Sequence, residues 1–123
     1  MSARRDIESR ADLRQFMDAF YSRLLADPRI AHLFTHLDLE AHLPILVDFW
    51  AMILLGEDSY RRNTFQKHLH LALEDHHFDV WLGHFSATLD ERFAGERTEL
   101  AKTRAVGIAA TFRSKLRALG RLA

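Results

Sequence analysis

Cysteine is absent from the 123 residues. That excludes a disulfide framework, a thiolate zinc site and a thiol nucleophile, and it makes a reducing cytoplasm the expected setting. Proline and glycine are scarce, with two and five copies scattered singly. A phosphate-cradling loop and a dinucleotide-binding turn both need clustered glycines, so neither can be built. Net charge is missing too: 17 basic residues face 17 acidic ones, which leaves no electrostatic surface for nucleic acid. The longest apolar stretch, Leu43 to Leu55, is interrupted by Asp48 and falls short of the ~20 residues that cross a bilayer. No membrane span is expected. Alternating β-branched runs and Asn-Gly or Asp-Gly turns are lacking, so nothing supports a sheet. None of the serines sits in a nucleophile elbow. The opening MSARRDIESR is charged rather than a signal peptide, and residues 1–8 are expected to form a flexible lead-in to one domain spanning 1–123.

What the chain does have is eight histidines, nine phenylalanines and two tryptophans. Leu13, Phe16, Met17, Phe20, Tyr21, Leu24 and Leu25 recur at steps of three and four, one stripe of a helix that Pro28 ends. Ile30, Leu33 and Phe34 suit a short helical turn. Asp38 is placed to cap a second helix carrying Leu39, His42, Leu43, Leu46, Phe49, Trp50, Ile53 and Leu54, stopped by Gly56 and loosened near its second turn by Pro44. The weakly periodic stretch 57–74 reads as a loop and then a short helix near Phe65 to Leu71. Asp75 can cap a third long helix bearing Phe78, Trp81, Leu82, Phe85, Leu89 and Phe93. Thr98, Ala105, Ala109, Phe112, Leu116 and Leu119 mark the last. The fold class is all-α, with four substantial helices.

Histidine is the main source of chemistry. His32 and His36 are four apart, His68 and His70 two apart, and His76 and His77 adjacent. None forms H-E-x-x-H, so a histidine-rich zinc enzyme rests on composition alone. Tyr21, His42 and Trp81 are different: each sits on the apolar face of a separate helix. A buried phenol, imidazole or indole needs a hydrogen-bond partner. The three either satisfy one another in a core or face a ligand, and the rings of Phe34, Phe49, Trp50, Phe78 and Phe85 either fill that core or wall a flat molecule.

Ordered motifs carry a family likeness. The Phe20-Tyr21 pair, DLEAHLPILVDFW from Asp38 to Trp50, LLG…Y…N…KHLHL from Leu54 to Leu71, HFDVWLGHF from His77 to Phe85, and the DERFAG…LAKTRAVGIA tail together resemble a group III truncated haemoglobin, a short globin built as a two-over-two helical sandwich. The resemblance implies one non-covalent haem b per chain with His68 as proximal iron ligand, His70 being the second choice. It implies a distal trio of Tyr21, His42 and Trp81, the residues that already stood out on the helices. Phe34, Leu46, Phe49, Trp50 and Phe78 would be apolar haem walls, and Tyr60, Arg61, Arg62 and Lys67 candidates for the propionates. The implied role is binding dioxygen, nitric oxide or carbon monoxide, with nitric oxide dioxygenation or peroxide chemistry as a further option. Since no flavin domain fits in this length, electrons for such turnover would come from a separate reductase. A monomer or weak homodimer is expected.

The chain departs from the family pattern where Leu39 replaces a tryptophan and Arg61-Arg62-Asn63 replaces a Gly-x-Pro form. Two other classes remain open on the residues alone: a non-haem helical interaction module, and the histidine-rich metal protein.

Overall fold

A computed structural model describes residues 4–58 and 73–122. Among these, four α-helices and one 3-10 turn account for the regular structure, and no strand occurs. The expected loop and short helix around Phe65 to Leu71 lie outside the described residues.

Helix α1, Arg10–Ala26, begins where the Ser9 side chain accepts the Asp12 backbone N–H, and buries Leu13, Phe16, Met17, Phe20, Tyr21 and Leu24. Leu25, expected on the same stripe, is instead 46% exposed. At 100° per residue it falls about 100° from the stripe's centre, beyond the buried arc. The turn Ala31–Phe34 follows. Helix α2, Leu39–Leu55, is capped by the Asp38 carboxylate on the Ala41 N–H and ends at Gly56, whose φ of 71° is the left-handed conformation that favours glycine. It runs through Pro44 unbroken.

Helix α3, Asp75–Arg92, starts one residue away from the expected cap. Glu74, not Asp75, is the capping residue: its carboxylate accepts the His77 backbone N–H, while the His77 imidazole accepts the Glu74 N–H in return. This reciprocal pair satisfies two N–H groups that the first turn would otherwise leave open. Asp75 becomes the first helical residue and pairs with Arg117. Helix α4, Glu96–Ala118, buries Thr98, Ala101, Ala105, Ala109 and Leu116, whereas Leu119, expected on that stripe, lies past the helix and is 57% exposed.

The lead-in expected to be flexible is docked from Arg5 onward, where the Arg5 carbonyl accepts the Ala94 N–H at 3.0 Å. Ile7 is fully buried. Asp6 caps α4 from outside, its carboxylate accepting the backbone N–H of Arg97 at 2.8 Å and of Thr98 at 2.9 Å and the Thr98 hydroxyl at 2.7 Å. Gly95, with φ of 148°, makes room: a Cβ there would meet Asp6 Cγ at 2.5 Å. Arg5 donates to the buried Asp12 carboxylate. Composition at residues 1–8 showed charge, but not that these charges have partners some 90 residues away.

Helix α1 packs on α2 and α3, α3 on α4, and α2 on α4, so the pair α1/α2 lies over the pair α3/α4. At the crossing, Phe85 meets Phe16 at 5.0 Å and 79° and Phe20 at 5.3 Å and 88°, edge-to-face geometry that aligns positive ring edges with negative faces. No described helix is long and apolar enough to cross a membrane.

Candidate functional site

The crossed pairs leave a cavity of about 130 Å³ bounded by α1, the Ala31–Phe34 turn, α2, α3 and α4. Tyr21 projects into it from α1, His42 from the second turn of α2, and Trp81 from α3. Residues 60 positions apart in sequence thus meet at one place. The Tyr21 ring stands edge-on to His42, with centroids 6.0 Å apart at 81°, and edge-on to Phe34 at 5.6 Å and 82°. Trp81 is fixed between Phe20, met edge-on at 5.5 Å, and Phe85, stacked at 5.1 Å.

Phe34, Leu46, Phe49, Trp50 and Phe78 also line the cavity, so each described residue of the sequence-based site converges there. Trp50 is nonetheless 3% exposed and packs on Phe49 and Phe85, which makes it as much core as wall. His68, His70, Tyr60, Arg61, Arg62 and Lys67 lie outside the described residues.

Sequence reasoning missed several lining residues. Ile108, Ala109 and Phe112 face the cavity from α4, and Ile45, Leu73, Ile30 and Leu33 complete the apolar wall. The i, i+1, i+4 spacing of the α4 residues was the available signal, but it reads equally well as helix packing. His77 was also passed over. It is 4% exposed, lines the cavity, and its Nδ1 accepts the Glu74 N–H at 2.9 Å. Burial, followed by the charges of His76 and His32, lowers its pKa and favours the neutral ring.

Tyr21 is the polar centre of this apolar space. Its ring is 5% exposed, and burial pushes the phenol well above its ordinary pKa. The group stays O–H at physiological pH. The ring is held edge-on by Phe20, Phe34 and His42, and the side chain lines the apolar cavity. A phenol O–H at the wall of an apolar space is a donor for a ligand that can accept its hydrogen bond.

The family model for bacterial-like globins matches residues 6–115. The chain belongs to the bacterial-like globin family. Within it, this globin is similar to the group 3 truncated haemoglobin ctb of Campylobacter jejuni, 27% identical over 111 residues that cover 85% of this chain and 87% of the relative. The crystal structure of the C. jejuni group III truncated haemoglobin matches with a TM-score of 0.83 at 25% identity, covering 93% of this chain and 95% of that one. The group III resemblance and the two-over-two architecture are therefore both met. The group 1 truncated haemoglobin of Tetrahymena pyriformis is 34% identical over 73 residues, a match spanning 58% of this globin and 60% of the relative's length.

Globin membership implies haem, and the described residues fit one. The cavity walls are flat rings and branched aliphatics suited to a planar apolar face. A buried phenol, an imidazole and an indole reach the cavity from three different helices.

Proposed function

We propose that this globin binds one haem b non-covalently, with His68 as the proximal ligand, and reversibly holds dioxygen or a related diatomic beneath Tyr21, His42 and Trp81. Haem supplies an iron that binds dioxygen, nitric oxide or carbon monoxide. The observation that carries the reading is the convergence of Tyr21, His42 and Trp81, from three separate helices, on one apolar cavity.

The chain's own residues do the rest. The Tyr21 O–H and the Trp81 indole N–H are donors for the outer atom of a polar diatomic, each worth about a kcal/mol or more. His42 flanks the phenol from α2 and is placed to join that network or to stand at its edge. Phe34, Phe78, Leu46 and Phe49 exclude water, which strengthens the electrostatics of whatever donors remain. Several donors in a dry pocket favour retention. Retention suits chemistry or sensing better than delivery, since a carrier must also release its cargo. Nitric oxide dioxygenation or peroxide turnover would add an electron requirement met by a separate reductase.

Hemin titration of the purified chain tests the reading. A saturable Soret band at one equivalent is expected, with ferrous and carbonyl forms on reduction, and it should be lost or strongly weakened in His68→Ala. A folded, helical protein that takes up no hemin would overturn it.

A further inference from the structure

Three imidazoles scattered in sequence meet at the corner where the Ala31–Phe34 turn reaches the first turn of α3. The His32 ring lies 5.3 Å from that of His77, and His76 lies 4.2 Å from His77 on its other side. Glu74 joins them, with Oε2 3.4 Å from His76 Nδ1. One ligand atom each from Glu74, His76 and His77 falls within 4.8 Å of the others.

Protonated imidazoles this close repel. Burial and that repulsion lower the His77 pKa, so the His77 ring favours the neutral form, the one that ligates metals. A carboxylate oxygen with several imidazole nitrogens is a donor set that suits zinc-type divalent ions. The positive end of α3 opposes a cation here, and the Glu74 carboxylate offsets it. Nothing in the diatomic-binding reading uses Glu74, His76 or His32.

We propose that Glu74, His76, His77 and His32 form a binding site for a divalent first-row transition-metal ion, Zn²⁺ foremost, on the outer side of the cavity wall. The site is reversible rather than structural. Because His77 Nδ1 accepts the Glu74 N–H, the neutral ring carries its proton on Nε2. Metal capture at Nε2 moves that proton to Nδ1, and capture at Nδ1 takes up its lone pair, so either mode gives up the capping bond from the Glu74 N–H. His77 also lines the cavity, so the ion sits one residue away from the ligand-binding space.

Calorimetric titration with ZnCl₂, on the full chain both hemin-loaded and hemin-free, tests this without depending on the haem assignment. One ion per chain is expected in both forms. His76→Ala and His32→Ala should each weaken binding by about tenfold or more. His36→Ala, a histidine outside the cluster, should leave it unchanged. Far-UV dichroism of the variants checks their folding. Absence of zinc binding, or binding that survives either His76→Ala or His32→Ala at full strength, would overturn the proposal.

Discussion

Tyr21 and His42 stand edge-to-face across the interface of α1 and α2, with ring centroids 6.0 Å apart at 81°. They are 21 positions apart, on helices separated by a corner and a 3-10 turn. The pairing joins two residues that stand out on the apolar faces of separate helices into one wall of the cavity.

Tyr21→Phe removes the donor and keeps the ring. Dioxygen release from the ferrous, hemin-loaded protein should quicken by about five- to thirtyfold, the equivalent of about 1–2 kcal/mol for one hydrogen bond. Thermal stability should hardly change, because the ring keeps its edge-on contacts with Phe34 and His42. Stopped-flow ligand replacement reads the rate. Combining it with Trp81→Phe should give less than the sum of the single effects if both donors address the same atom.

Alkaline titration reports the same phenol. Burial raises the Tyr21 pKa, so the folded chain keeps its proton where a free tyrosine, near 10, loses it. Above pH ~10 the unfolded state binds fewer protons than the folded one, and stability falls as pH rises. Absorbance near 295 nm should show this ionisation only on unfolding, and denaturation in Tyr21→Phe should be less sensitive to pH in that range.

Asp12 sets an acid limit. Hydrogen bonding from Arg5 is the largest cause that lowers its carboxyl to about 2, against the desolvation that raises it. The group is a depressed acid, so its contribution is complete above the ordinary range near 4 and is lost as pH falls towards 2. Melting temperature should drop over that window in the native chain. In Asp12→Asn, already weaker by about 1–2 kcal/mol at neutral pH, the drop should be shallower.

The docked N-terminal segment gives a stability prediction at a distance from the pocket. Asp6→Ala strips the outside cap from α4 and should cost about 1–2 kcal/mol. Removing residues 1–8 should cost more, because Ile7 leaves the core and Asp12 loses Arg5. Gly95→Ala should also destabilise, since the new Cβ collides with Asp6 and φ is unfavourable. Chemical denaturation of the three variants measures this, and a truncated chain as stable as the full one would refute the docking.

Helix identity was legible residue by residue. The stripe from Leu13 to Leu24, the Asp38 cap and the Gly56 stop are local signals, and the structure repeats them. Caps made by side chains at a distance were not. Glu74 and His77 look like loop and surface residues until the capping box closes, and Asp6 looks like part of a charged tail until it meets Thr98. In the site, Tyr21, His42 and Trp81 were visible because a polar or indole-bearing residue on an apolar stripe breaks periodicity. Ile108 and Phe112 were not, because an aliphatic residue facing a cavity and one facing a core obey the same spacing.

The order of residues along the chain was enough for the all-helical class, the position of each long helix and the singling out of Tyr21, His42 and Trp81 on apolar stripes, because helical periodicity and the cost of burying polar groups act within a few turns of backbone. Which faces meet, that a cavity remains where α1, α2, α3 and α4 cross, and that His32 lands beside His77 were decided only by packing. Those contacts depend on how bulky rings such as Phe85 interlock across helices, and the shape they leave behind is a property of all the helices together.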